Sequence, residues 1–148
     1  MLKTKYKTVP ILALTATATI KVKDDVCNRL RMKDLQCFQS SFNRPNLYYE
    51  VRRKRTPQHM QKDMLKLITD RYQNQSGIIY CVSRKDCETW TRILKTKGFS
   101  VEYYHAKLRY SMRKEVQAKW MTGEVKIILA TVAFGLGINK PDVRFIIH

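Results

Sequence analysis

Ile127-Ile128-Leu129-Ala130-Thr131-Val132-Ala133-Phe134-Gly135-Leu136-Gly137-Ile138-Asn139-Lys140-Pro141-Asp142-Val143 is the stretch whose reading decides the fold. Ile127, Ile128, Leu129 and Val132 are branched and apolar, and a short run of this kind reads as a strand buried in a sheet. The loop that follows carries Gly135 and Gly137, which let the backbone approach a ligand closely or turn sharply. A loop leaving the carboxyl end of an inner strand stands where open α/β sheets bind ligands. A tight turn between two core strands accounts for the glycines equally well, so the stretch alone fixes a strand, a loop and a second strand from Val143 to Ile147.

Working outward, strand and helix patterns alternate. Residues 47–51 read as a strand. Thr56-Pro57 opens a helix whose apolar residues Met60, Met64, Leu67, Ile68 and Tyr72 recur every three or four positions, with proline in the first turn where its missing N–H costs nothing. Residues 77–82 read as a strand, followed by a helix capped by Ser83 and Asp86, carrying Cys87, Trp90 and Leu94, and stopped by Gly98. Residues 101–105 form the next strand. Ser111 is expected to cap a helix with Val116 and Trp120 inward, Gly123 ends it, and strands over 126–132 and 143–147 complete the series. Such alternation implies βαβ units and a mostly parallel sheet with helices on both faces.

Ahead of this series, residues 9–14 read as a strand, residues 22–32 as a helix with Val26 and Leu30 on one face, and residues 36–42 as another strand. Asn43-Arg44-Pro45-Asn46 interrupts the pattern, since proline drives Arg44 out of helical geometry. The boundary between two domains, 1–45 and 46–148, is expected there.

A chain of 148 residues with 44% apolar composition is long enough for one real core. No apolar run approaches the roughly 20 residues of a membrane span, and the N-terminus lacks the apolar stretch of a secretion signal. Twenty-nine basic against twelve acidic residues give a net charge of +17, which points to a polyanion, nucleic acid first, although the excess is spread along the chain. Cys27, Cys37, Cys81 and Cys87 include no CxxC pair, so no metal site is expected, and Cys81 within Ile78-Ile79-Tyr80-Cys81-Val82 reads as a small buried thiol. The run Arg52-Arg53-Lys54-Arg55 reads as the solvated end of a strand.

Four strings carry a family resemblance. Ala130 to Pro141 resembles motif V of RecQ-family DNA helicases, members of helicase superfamily two. Leu14-Thr15-Ala16-Thr17-Ala18-Thr19, by itself an N-capping cluster, is similar to RecQ motif III. Ser41-Phe42-Asn43-Arg44-Pro45-Asn46-Leu47 resembles a further signature of that family and is the most discriminating of the four against DEAD-box RNA helicases. Ile78 to Cys87 is similar to motif IV, where Ser83, Arg84 and Lys85 open a helix whose N-terminus favours phosphate. Tyr103-Tyr104-His105-Ala106-Lys107-Leu108 departs from the family's Tyr-His-Ala-Gly-Leu by Lys107. If the glycine serves a positive φ, lysine costs about 1 kcal/mol there. His105 is read as a structural hydrogen-bonder, and Leu136 replaces a common methionine as a mild packing swap.

The resemblance implies an α/β fold, a RecA-like parallel sheet forming the second motor domain, preceded by the tail end of the first. It implies DNA contacts at Ser83, Arg84, Lys85, Thr131 and Lys140, nucleotide contacts at Gly135, Gly137 and Asn139, and coupling between motor domains through Thr15, Thr17, Arg44 and Asn46, with a phosphate contact by Arg44 as an equal alternative. The complete enzyme would unwind DNA with 3′ to 5′ polarity in recombination and repair, using ATP and Mg2+, on a single strand or a fork, in the nucleus of a eukaryote or else the cytoplasm, and not in secretion. Neither a GxxxxGK[ST] loop nor an Asp-Glu-x-His string occurs here, and an arginine-bearing motif VI would begin after His148. The isolated chain is therefore expected to have no catalytic residue, no metal site, no tight hold on ATP or Mg2+ and no ATPase activity, with the missing motor domain as a partner in a longer chain. A catalytically silent module that binds single-stranded nucleic acid, and a truncated gene product, remain alternatives.

Overall fold

The computed structural model describes residues 1–148 apart from Met1, Lys7, Ala16, Lys33, Phe42, Lys54, Arg55, Val132, Ala133, Leu136 and Gly137. It divides into two compact units, Met1–Val51 and Arg52–His148.

The first unit holds α1 (Leu2–Lys5) and α2 (Ile20–Leu30). Thr19 accepts from the Val22 amide at 3.4 Å, so α2 starts two residues ahead of the expected 22. It ends when Arg31 turns left-handed at φ 50°, with Arg31 N donating to Asn28 O and Met32 N to Cys27 O, each at 3.1 Å. Residues 9–14 and 36–42, expected as strands, form none among the described residues, nor does 47–51. Apart from half-buried Ile11, their described apolar side chains stand in solvent, with Phe38 at 94% and Val51 at 99% exposure. Strand propensity is realised only against a pairing partner, and the described residues offer these segments none. The Pro45 interruption is a turn, with Leu47 N donating to Arg44 O at 2.9 Å and proline at the position that favours it.

The second unit carries α3 (Pro57–Arg71), β1 (Ser76–Tyr80), α4 (Arg84–Thr96), β2 (Val101–Tyr104), α5 (Tyr110–Thr122), β3 (Ile127–Ala130) and β4 (Val143–Ile147). All pairings are parallel and the order is β2-β3-β1-β4, so β3 and β1 are the inner strands. Side chains alternate across these strands. Ile79, Cys81, Ile127, Leu129, Val101 and Phe145 face Ile68 of α3 and Cys87 and Leu94 of α4. Ile78, Ile128 and Ala130 face Trp120 of α5, with Val125 and Phe134. Every residue of β3 is buried, as both-face coverage of an inner parallel strand requires. The edge strand β4 buries Phe145 and leaves Ile146 exposed. A Cβ at Gly77 would run into the Phe145 ring, so glycine lets that ring cross β1.

Local signals set the helix starts. Thr56 accepts from His59 N at 3.3 Å with Pro57 in the first turn, and Ser83 accepts from Asp86 N at 3.1 Å. The expected Ser111 cap is corrected: α5 starts at Tyr110, and its cap residue Arg109 makes no side-chain cap bond. The preceding turn, closed by Leu108 N donating to His105 O at 3.1 Å, launches the helix early, which leaves Ser111 already helical. Lys107 sits in this turn, exposed, and is not among the described non-glycine residues of positive φ, which are Arg31, Asp34 and Asn74. The turn therefore makes no demand that only glycine meets.

Candidate functional site

Parallel strands bring their carboxyl ends to one edge, and each is followed by a segment that the sequence singled out. β1 runs into Cys81, Val82 and Ser83, β3 into Thr131, and β2 into the His105–Leu108 turn. Because β3 lies between β1 and β2, Thr131 stands between the other two, with neighbouring strands about 4.8 Å apart.

Ser83, Arg84 and Lys85 are exposed at the start of α4. The Ser83 hydroxyl donates to the Asp86 carboxylate at 2.7 Å while accepting from its amide, so the helix already carries a carboxylate of its own at this end. That charge lowers the pull on an external anion and leaves Arg84 and Lys85 as the outward cations. Val82 is fully exposed beside them. Beneath, burial and then the neighbouring Cys87 push the Cys81 thiol up to about 12, and burial also raises Cys87.

The loop after β3 is anchored from below. Tyr80, the last residue of β1, donates its hydroxyl to Phe134 O at 2.8 Å, and its ring stacks on His148 with centroids 4.8 Å apart. Phe134 is buried against Tyr104 and Trp120. Gly135 has φ 112°, and a Cβ there would lie 2.7 Å from the Tyr80 hydroxyl. Both facts favour glycine, and the residue is exposed. Ile138 N approaches Gly135 O at 3.5 Å, and Asn139 follows, exposed. Gly137 lies outside the described residues. Sequence reasoning missed Tyr80, whose signal was an amphipathic ring on the final residue of an inner strand.

Lys140 requires a correction. Its side chain is 4% exposed, and its ammonium donates to Met121 O at 3.3 Å, pairs with Asp142 at 2.8 Å and lies 5.4 Å from the Trp120 ring centroid. Asp142 in turn accepts from Ser76 at 2.9 Å. Met121 is in the last turn of α5 and Ser76 opens β1, so the lysine sits at the amino edge of the sheet, opposite Thr131, where it complements the carbonyl end of α5. Its charge is met inside the domain, where it ties the end of α5 to the start of β1.

In the first unit, Thr15 and Thr17 are exposed and close a local turn, the Thr15 hydroxyl accepting from Thr17 N at 3.1 Å and donating to Thr17 O at 3.2 Å. Arg44 and Asn46 are exposed in the turn that Leu47 closes. His105 is 3% exposed, bonded through Nε2 to Glu88 at 3.1 Å and stacked on Tyr103. Among the described residues no three His, Cys, Asp or Glu side chains group as metal ligands. The exposed backbone at Gly135 and the Asn139 side chain fit contacts to a nucleotide from one side, without a phosphate-cradling loop.

Residues 59–148 match the family model described as helicase conserved C-terminal domain. The whole chain aligns at 47% identity with ATP-dependent DNA helicase Q-like 2 of Arabidopsis thaliana, of which it covers 21%, and at 46% with RecQ-like DNA helicase BLM of Xenopus laevis, of which it covers 11%. Among solved structures, the C-terminal domain of Saccharomyces cerevisiae Dbp5 superposes with a TM-score of 0.53 at 23% identity, over 60% of this chain and 49% of that one, which shows the RecA-like fold alone. The chain spans about a fifth or less of these curated relatives. With its parallel sheet, its carboxyl-edge loops and full-length similarity to RecQ-type enzymes, the chain belongs to the helicase conserved C-terminal domain family and is a RecQ-like segment of superfamily two.

Proposed function

We propose that this chain forms one wall of the DNA cleft and one wall of the nucleotide cleft of a RecQ-like, ATP-dependent 3′ to 5′ DNA helicase. The observation that carries the reading is identity of 46–47% along the entire chain to proteins named as DNA helicases. The carboxyl edge supports it. Arg84 and Lys85 offer charge, Thr131 offers a hydroxyl between them and the β2 turn, and phosphate contacts of this kind position a strand without reading its sequence. Gly135 and Asn139 take the nucleotide side, with ATP and Mg2+ held chiefly by groups this chain does not supply. Thr15, Thr17, Arg44 and Asn46 would couple the motor domains. Nuclear location in a eukaryote, and work in recombination and repair on single strands or forks, follow from the same reading.

Two measurements on the pure chain test it. Fluorescence anisotropy should show a single-stranded oligonucleotide binding with an affinity that falls steeply with salt, about 0.7 in log K per log salt for each phosphate neutralised. Undetectable or salt-independent binding sinks the DNA reading. Phosphate release from ATP should stay at background with and without single-stranded DNA, because phosphoryl transfer needs a phosphate cradle, a metal and an arginine finger together. DNA-stimulated release would show that the chain hydrolyses ATP unaided.

A further inference from the structure

We propose that Tyr110, Arg113 and Lys114, on the first turns of α5, form a base-stacking platform for single-stranded nucleic acid, separate from the β1–α4 corner. The inference rests on the nucleic-acid reading above and adds a second contact to it. Tyr110 is 65% exposed even though the Lys114 ammonium lies 4.9 Å and the Arg113 guanidinium 5.9 Å from its ring centroid. An exposed ring flanked by cations contributes little to a core, so folding does not account for the arrangement. Arg113 Nε is shielded from water and has no hydrogen-bond partner among the described residues, so this nitrogen is held inside rather than in the solvent.

Along the turn before α5 and the first turn of the helix the charge has one sign. Lys107 and Arg109 are exposed just ahead of it, and the first turn of α5 contains no acidic residue. Glu115, the one carboxylate of α5, is committed to Lys119 at 2.8 Å, one turn toward the far end. At the start of α4, by contrast, Asp86 already occupies Ser83. Because α5 follows β2 through a five-residue connection, the platform lies at the same carboxyl edge as Thr131. Every base has an apolar face that can stack on tyrosine whatever its identity, while lysine and arginine take the flanking phosphates. A ring between cations suits that ligand better than an acidic peptide, which needs the cations alone.

The test uses the full chain, a fluorescein-labelled oligothymidine and anisotropy at low salt, with circular dichroism confirming that each variant is folded. Tyr110→Ala should weaken binding roughly 5- to 100-fold and Tyr110→Phe by no more than about twofold, since stacking needs the ring and not the hydroxyl. With thymines replaced by abasic spacers, wild type and Tyr110→Ala should bind alike. Equal affinity of wild type and Tyr110→Ala for the oligothymidine overturns the platform and leaves the wider DNA reading standing. Failure of the wild type to bind at all overturns the DNA reading itself. Competition by poly-glutamate as effective as by unlabelled oligothymidine overturns the platform in favour of a general acidic ligand.

Discussion

Lys140 spends its charge inside the domain, joining the carbonyl end of α5 to the start of β1 through Asp142 and Ser76. Lys140→Met keeps the stem over Trp120 and removes the ammonium. Losing a charged hydrogen bond of this kind costs about 1.5–3 kcal/mol, so the thermal midpoint should fall by roughly 5 °C while oligonucleotide affinity changes little. A large affinity loss with an unchanged midpoint would restore the DNA-contact reading. The Lys140 bond, and then the Ser76 bond, hold the Asp142 carboxyl below its ordinary range. A group depressed in the folded state stabilises fully above its unfolded value, about 3.9, and loses that contribution as pH falls through the lower folded value. The gap in midpoint between wild type and Lys140→Met should therefore narrow below about pH 4 in circular-dichroism melts, and a gap unchanged at pH 3 would refute the ion pair as its source. The cysteines give a second prediction at this scale. With Cys81 near 12 and Cys87 raised too, thiolate at pH 8 is about one part in ten thousand for Cys81, whereas Cys37 is exposed. Iodoacetamide followed by mass spectrometry should mark Cys37 first and reach Cys81 and Cys87 only in denaturant. Early modification of either buried thiol would show that the β1–α4 corner opens.

Between elements, the contact that shapes the candidate site runs from the end of β1 to the loop after β3. Tyr80→Phe removes one hydroxyl bond to Phe134 O and should cost about 1 kcal/mol. Gly135→Ala must bear both the left-handed φ and the approach of its Cβ to the Tyr80 hydroxyl, and should cost about 2 kcal/mol or more. With phenylalanine at 80 the steric part disappears and the backbone part remains. The double variant should therefore be about 0.5–2 kcal/mol more stable than the two single losses predict, measured by urea denaturation. Strict additivity would show that the loop does not rest on Tyr80. This contact also marks what local pattern could convey. α3, α4 and the four strands were legible because caps such as Thr56 and Ser83 and apolar runs such as Ile78-Ile79 and Ile127-Ile128-Leu129 are local signals. The tyrosine's partner lies 54 residues away, and Lys140 looked like an ordinary loop cation, because only the parallel crossing carries it to the amino edge. Residues 9–14 and 36–42 misled for the converse reason, being strand-like in composition with no strand to pair.

At the scale of the whole molecule, the two units differ in what holds them. All buried residues of both core clusters belong to Arg52–His148, and no described residue before Val51 is buried. Apolar burial is the main favourable contribution to folding, so a chain of residues 52–148 keeps nearly all of it. That segment also retains 20 basic and 8 acidic residues, a net charge of +12, together with Arg84, Lys85, Thr131 and Tyr110. Expressed alone, it should unfold cooperatively, with a midpoint within a few degrees of the full chain. It should bind a single-stranded oligonucleotide with nearly the same salt slope, since the phosphates it neutralises are the same. A segment that melts without cooperativity, or binds with a slope lower by two or more contacts, would assign to residues 1–51 a share of the stability or the DNA surface that their exposed side chains do not suggest.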